Sequence, residues 1–293
     1  MANLNWAREG ADWPNRETSS FVKAADLTWH VQRAGTGPGL LLVHGTGAST
    51  HSWRDLLPLL ARSFSVLALD LPGHGFTTAL PAARQSLPGM ADTIAALLEQ
   101  LQFAPQVAVG HSAGAALLVR LCLDGRLTPQ RIVSLNGAFL PYGGATLHLL
   151  KPITRLVAAS HLAATLIAQH GGDSANVHRL IRRTGSTLDQ RGLDLYTRLV
   201  RSSDHVTGAL SMMAGWDLRP LLRDLPSLRE PLALVVGTAD RTIAPGEAER
   251  VRVLAPRAKL VRLWGLGHLA HEERPLVVAN LIDDLSRAPS GRW

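Results

Sequence analysis

The residues most able to do chemistry are Gly110-His111-Ser112-Ala113-Gly114. An apolar run, Val107 to Val109, precedes them, and an apolar helical stretch, Ala115 to Leu123, follows. A serine held on so tight a strand-to-helix turn needs small neighbours, because the backbone there is strained. Gly110, Ala113 and Gly114 meet that need. The turn lifts the Ser112 hydroxyl above a sheet edge, at the positive end of a helix. The plain alternative is a glycine-rich turn with an incidental serine. The strand-turn-helix setting favours the nucleophile.

Serine needs a base, and the chain has 12 histidines. A serine of this kind takes its acid and then its histidine from later loops. His268 lies in Trp264-Gly265-Leu266-Gly267-His268, just after the last expected strand. His271 reads instead as a partly exposed surface histidine. Asp240, in Gly237-Thr238-Ala239-Asp240-Arg241, lies between serine and histidine as that order requires. It could also be an ordinary turn aspartate. The other address for the acid follows the strand ending at Leu135, where Asn136 cannot carry the charge. Acyl transfer also needs donors for a developing oxyanion. The backbone N–H of Ala113 is one candidate. The other is the N–H of Thr46, in the loop His44-Gly45-Thr46-Gly47. His44, His111, Met212, Met213 and Trp216 are candidates to line a substrate pocket. Asp70-Leu71-Pro72-Gly73-His74-Gly75 reads as a structural turn beneath the site.

The positioning elements follow from short apolar runs. Two strands are expected within Phe21 to Arg33. Further strands are expected at Leu40–Val43, Ser65–Leu69, Gln106–Val109, Ile132–Leu135, Leu232–Val236 and Lys259–Leu263. Runs apolar throughout suit strands covered on both faces. Helical spacing appears at Met90–Gln102, Ala113–Leu123 and Pro275–Leu285. This alternation implies an α/β fold with a mostly parallel, doubly wound sheet. It stops between about residues 137 and 226. That stretch reads only as helices: His148–Ala159, His161–Gln169, Ser174–Arg183, Leu193–Ser202 and Val206–Gly215. The expected organisation is a core of residues 1–136 and 227–293, with a helical cap, 137–226, inserted.

The bulk composition agrees. The 293 residues are 46% apolar and 18% charged, enough for a large core. The net charge of +7 is nearly all arginine, since Lys23, Lys151 and Lys259 are the lysines. The basic residues are scattered, so no nucleic-acid partner is expected. One cysteine, Cys122, excludes an internal disulfide and suits a reducing compartment. No apolar segment approaches the roughly 20 residues needed to span a bilayer. The expectation is a cytoplasmic protein with at most peripheral membrane contact. No P-loop, Cys/His cluster or dinucleotide fingerprint is visible. No metal and no cofactor are expected.

Several longer strings narrow the reading. They are Gly10-Ala11-Asp12-Trp13-Pro14-Asn15-Arg16-Glu17, Trp29-His30-Val31-Gln32, His44-Gly45-Thr46-Gly47-Ala48 and Thr50-His51-Ser52-Trp53-Arg54. Asp70 to Thr77, Ser86-Leu87-Pro88-Gly89-Met90 and Trp216-Asp217-Leu218-Arg219-Pro220-Leu221 extend them. From about Trp6 to Ile282 the chain resembles the α/β-hydrolase superfamily. Within it, the strings resemble the BchO-type magnesium-chelatase accessory proteins of bacteriochlorophyll biosynthesis. The resemblance implies a role near magnesium insertion into a porphyrin, and a magnesium-chelatase subunit as a partner. It supplies no reaction.

Two functions compete. One is a serine esterase acting on a small apolar or tetrapyrrole-related ester. The other is an accessory scaffold that binds a tetrapyrrole or the chelatase. A scaffold has no need of nucleophile, base, acid and oxyanion loop together, so the residues favour the first. Different triad chemistry, such as carbon–carbon hydrolysis or a lyase reaction, also fits the motifs. Arg155, Arg179, Arg182, Arg183, Arg191, Arg198 and Arg201 in the cap would suit a carboxylate-bearing macrocycle, though solvated helix faces explain most of them.

Overall fold

A computed structural model of the chain describes residues 4–141, 165, 168 and 172–288. Eight strands form one sheet: β1 (Ser19–Ala24), β2 (Leu27–Ala34), β3 (Gly39–Val43), β4 (Ser65–Leu69), β5 (Val107–His111), β6 (Arg131–Leu135), β7 (Leu232–Gly237) and β8 (Ala258–Leu263). Their order is β1-β2-β4-β3-β5-β6-β7-β8. The pairs β1–β2 and β2–β4 are antiparallel, and the rest are parallel. This is the α/β-hydrolase fold, and all the expected strands are present within a residue or two.

The apolar runs are explained by helices on both faces. Leu41 and Val43 of β3 face one core, with helices Leu87–Gln100 and Ala113–Leu123. Leu40 and Leu42 face the other, with Leu56–Leu60 and Pro275–Arg287. Every second side chain therefore serves a different layer, and neither face can be polar. Helix Leu87–Gln100 begins three residues earlier than the apolar spacing indicates. Ser86 caps it by accepting from the Gly89 N–H at 3.2 Å, and Pro88 occupies its first turn.

The register aligns the strand ends. Val43 pairs with Leu69 and Gly110, His111 with Leu135, and Leu135 with Val235. The loops that follow β3, β5, β6 and β7 therefore leave the sheet at one edge. The order also reverses between β3 and β5, where the next strand lies to one side for β3 and to the other for β5. Such a switch point opens a crevice at the carboxyl ends of the strands.

Between β6 and β7 the described residues hold helices and no strand: Ser174–Arg183, Gln190–Val200, Ser203–Gly215, Arg219–Asp224 and the short turn Leu225–Ser227. The expected helices at His148–Ala159 and His161–Gln169 fall outside the described residues, apart from Thr165 and Ala168. Leu221, Leu225 and Leu228 join the main core, and Arg120 reaches across to Asp224 at 2.9 Å. The end of this helical stretch is thus packed into the sheet's own helix layer. Helices Leu56–Leu60 and Gly246–Leu254 were not legible from spacing. The first is too short for a helical period to emerge, and the second is broken up by charges. Among the described residues, no helix is long and apolar enough to cross a membrane.

Candidate active site

Ser112 sits between β5 and helix Ala113–Leu123 with φ +50 and ψ −116. That is a conformation non-glycine residues avoid, and it persists only where the surroundings enforce it. Here its N–H donates to the Leu135 carbonyl at 3.0 Å, and its own carbonyl accepts from Ala115 and Ala138. A Cβ at Gly114 would collide with the Val43 carbonyl oxygen, so only glycine lets the helix start this close to β3.

His268 and Asp240 meet on the adjacent loops. His268 Nδ1 lies 2.8 Å from Asp240 Oδ2. A carboxylate only accepts, so Nδ1 carries the proton and Nε2 is left bare to act as a base. Both side chains are almost wholly buried. Asp240 is held on every side. Its Oδ1 accepts from the backbone N–H groups of Thr242 (2.7 Å) and Ile243 (3.0 Å). Its Oδ2 also accepts from Asn136 Nδ2 at 2.7 Å. Asn136, which cannot carry the charge of an acid, lies at the end of β6 and grips Asp240 instead. Its φ of +49 is tolerated by asparagine better than by most residues.

His111, next to Ser112, ties these loops to the turn after β5. His111 Nε2–H donates to the His268 carbonyl at 3.0 Å, and the two rings lie 4.7 Å apart, tilted by 57°. A Cβ placed on Gly45 would meet both His111 Nδ1 and Ser112 Cβ at 2.9 Å. The loop after β3, the elbow and the base loop therefore touch one another. Among the described residues, the Ser112 hydroxyl has no hydrogen-bond partner, and neither do the backbone N–H groups of Thr46 and Ala113. Burial holds His111 neutral, its pKa well below the usual histidine value, with His271 and His268 adding to the effect.

His44, expected at the pocket, is fully buried with both nitrogens engaged. Its Nδ1–H donates to the Gly45 carbonyl at 2.7 Å, and its Nε2 accepts from the Leu71 N–H at 2.9 Å. It therefore pins the Thr46 loop to the turn after β4. That turn is fixed in its own right by Asp70, which accepts from Thr50 N–H, Phe76 N–H and His30 Nδ1. Burial alone would raise the Asp70 carboxyl, but its interaction with His30, the neighbouring His44 ring and the Phe76 N–H hold it far below its ordinary value.

Met212 and Met213 part company. Met212 is buried and accepts a 3.5 Å contact from Thr46 Oγ1, which brings helix Ser203–Gly215 over the Thr46 loop. Met213 is 59% exposed, since consecutive helical residues point about 100° apart. Trp216 is half-buried against the main core. The expectation that His271 is a surface residue is overturned. Its ring is buried between Trp53 and His111, at 4.7 and 4.5 Å, and its Nε2–H donates to Ser52 Oγ at 2.9 Å. Its helix, Ala270–Glu273, is a single turn pressed onto the segment Thr50–Trp53, which buries Ala270, His271 and Glu272.

Among the described residues, no cluster of His, Cys, Asp and Glu side chains is arranged to hold a metal ion. A cavity of about 490 Å³ is walled by residues including Glu9, Asp194, Arg198 and Arg201, and none of the site residues above lines it. Arg198 there is already bound by Asp12, at 2.8 Å through each of two nitrogens.

Known proteins place this geometry. The model of the alpha/beta hydrolase family matches residues 40–281. The chain is 37% identical over 266 residues to the magnesium-chelatase 30 kDa subunit of Rhodobacter capsulatus, covering 89% of this chain and 92% of that one. It is 28% identical over 260 residues to the uncharacterized hydrolase YugF of Bacillus subtilis, covering 84% and 88%. An alpha/beta hydrolase fold protein from Burkholderia ambifaria superposes with a TM-score of 0.76 at 24% identity, covering 91% of this chain and 97% of that one. A thermophilic esterase from Thermogutta terrifontis gives 0.73 at 22%, covering 92% and 98%. At these identities the two solved structures speak for the fold alone. The chain belongs to the alpha/beta hydrolase family, on the branch that includes the magnesium-chelatase 30 kDa subunit.

Proposed function

We propose that this protein is a serine hydrolase of esterase type, with Ser112 as nucleophile, His268 as general base and Asp240 as the acid that orients it. The observation that carries the reading is the 2.8 Å His268–Asp240 pair, next to a serine held at positive φ. In this mechanism Ser112 Oγ attacks the ester carbonyl carbon while His268 Nε2 takes its proton. The carbonyl oxygen becomes an oxyanion, facing the N–H groups of Thr46 and Ala113, which have no partner among the described residues. The tetrahedral species collapses, the carbon–oxygen bond to the leaving alcohol breaks, and His268 gives that alcohol the proton. Water, activated by the same imidazole, then releases the carboxylic acid and restores Ser112.

The substrate class follows from kinship, not from the pocket. The branch containing the chelatase subunit points to an apolar or tetrapyrrole-related ester, within bacteriochlorophyll synthesis. The cap's arginines add little to this, because Arg179, Arg182, Arg183, Arg191 and Arg201 are exposed. The domain reading stands with it: a core of 1–136 and 227–293 that carries the chemistry, and a helical cap of 137–226 that covers it.

The second reading keeps the fold as a scaffold that binds a tetrapyrrole or a chelatase subunit, and the named relative favours it. A fluorophosphonate probe separates the two. The hydrolase reading expects Ser112 to be labelled, p-nitrophenyl esters to turn over, and Ser112→Ala to lose labelling with a rate drop of roughly 10³-fold or more. No labelling and no turnover of any ester in the folded wild type would leave the scaffold.

A further inference from the structure

Asp240 and His268 ride on separate loops, after β7 and β8, and a reacting geometry tolerates only about half an ångström of drift. The two loops are bridged by a third segment, which comes from the helical insertion. Helix Ser174–Arg183 ends, and the Thr184 carbonyl then accepts two backbone donors: Arg241 N–H at 3.1 Å and His268 N–H at 3.3 Å. One oxygen thus joins the residue after the acid to the base itself. Ser186 Oγ accepts from the next residue of the base loop, Leu269 N–H, at 2.8 Å. Ser186 is only 1% exposed.

Shape reinforces the bonds. Gly185 has φ +85, and a Cβ there would collide with the Ala239 carbonyl oxygen, one residue before the acid. A Cβ on Gly267, one residue before the base, would strike Gly185 and Ser186 Oγ. The segment is therefore wedged between the two loops with no room for a side chain. A partly exposed carboxylate closes the arrangement. Glu273 Oε1 accepts from Gly267 N–H at 2.8 Å, and Oε2 accepts from Thr187 N–H at 3.4 Å.

The insertion is in turn fastened to the core. Tyr196 donates to Glu272 Oε1 at 2.7 Å, and Arg54 spans Glu272 Oε2 (3.0 Å) and Asp189 Oδ1 (2.9 Å). Asp189 caps helix Gln190–Val200.

We propose that Thr184, Gly185 and Ser186 form a positioning strap, by which the helical insertion holds His268 and Asp240 in register for proton transfer. The proposal rests on the triad reading above. The strap touches no reacting atom and acts through the base loop.

The test compares wild type with Ser186→Ala, Ser186→Thr and Glu273→Ala. It follows kcat and KM on a p-nitrophenyl ester, thermal midpoint, and the low-field proton resonance of the His268 Nδ1–H bonded to Asp240. The strap predicts that kcat falls about 10- to 100-fold in Ser186→Ala, the scale of a misplacement near 1 Å, while KM holds. Ser186→Thr restores kcat, because its hydroxyl again accepts from Leu269. Glu273→Ala shifts kcat the same way by less, and in both alanine variants the resonance moves or broadens. A merely structural role would lower the thermal midpoint and leave kcat and the resonance as in wild type, and that result overturns the proposal. Should Ser186→Ala fail to fold, Glu273→Ala alone decides on the same criteria. Should wild type neither label with fluorophosphonate nor turn over esters, the hydrolase reading falls. The resonance still judges the strap, and its persistence unchanged in the alanine variants overturns it.

Discussion

Asp240→Asn changes one oxygen to an amide nitrogen, and the structure says where that nitrogen must go. Oδ1 accepts two backbone N–H groups, from Thr242 and Ile243, and only an oxygen can do so. The new NH₂ is therefore forced into the Oδ2 position. There it confronts Asn136 Nδ2, 2.7 Å away, and His268 Nδ1, 2.8 Å away. Both were donors. His268 can respond by moving its proton to Nε2 and accepting at Nδ1. The imidazole stays in place, but its outward nitrogen is now protonated and cannot take the Ser112 proton. Asn136 faces a donor and loses its bond, which costs about 1–3 kcal/mol of stability. The activity cost is larger. A wrong tautomer in such a triad lowers kcat about 10⁴-fold, equivalent to about 5.5 kcal/mol of barrier. The expected result is a folded protein, a few degrees less stable, with kcat down about 10⁴-fold and KM little changed. Ester kinetics beside a thermal melt would check it. A kcat within tenfold of wild type, in protein that melts normally, would refute the tautomer argument and the role of Asp240.

Asn136→Gly keeps a backbone able to adopt positive φ and removes one charge-assisted bond to Asp240. We expect kcat to fall about tenfold and the thermal midpoint to drop by a few degrees, since losing this buried bond costs roughly 1.5 kcal/mol. Equal activity would make Asn136 a bystander. Gly114→Ala drives a methyl group into the Val43 carbonyl and should cost several kcal/mol, on the order of 3, read as a lower urea midpoint. Acid should destabilise the fold. Burial pulls His205 down to about 4 and His271 to about 3, and lowers His44, His51, His74 and His111 as well. These folded-state values lie below the ordinary 6.5, so their stabilisation is complete above pH 6.5 and is lost as pH falls below it. From pH 7 to 5, His205 and His271 each remove about 2 kcal/mol. Glu272, pushed up to about 7 by burial, returns about 2 kcal/mol over the same interval and offsets only one of them. Urea unfolding at pH 7 and pH 5 reads the balance, and a midpoint at pH 5 equal to or above that at pH 7 would contradict it.

Much of the site was legible because its residues sit at strand ends and glycine turns. Gly110 to Gly114 announces the elbow because a backbone at positive φ beside a crossing strand leaves little choice of side chain. Asp240 and His268 stood out by chain order, each just past an apolar run. Asn136 has no charge to offer, and nothing in its neighbours says that it binds Asp240, 104 residues away. His271 was misplaced on the surface. Burial of a polar ring depends on a partner such as Ser52, 219 residues distant. Met213 was grouped with Met212 and Trp216 by helical spacing, but adjacent residues on a helix point about 100° apart, and Met213 is exposed.

The amino-acid order alone determined what is local: which runs are strands, where the chain must turn sharply, and which side chains can donate or accept a proton there. Backbone sterics and side-chain chemistry act over a few residues, so they can be read along the chain. The tertiary structure decided what depends on meeting: the register that brings four strand ends to one edge, the grip of Asn136 on Asp240, and the bridge from Thr184 to both loops. Those contacts join residues tens to hundreds of positions apart, and a hydrogen bond leaves no mark on the sequence of either partner until folding closes the distance.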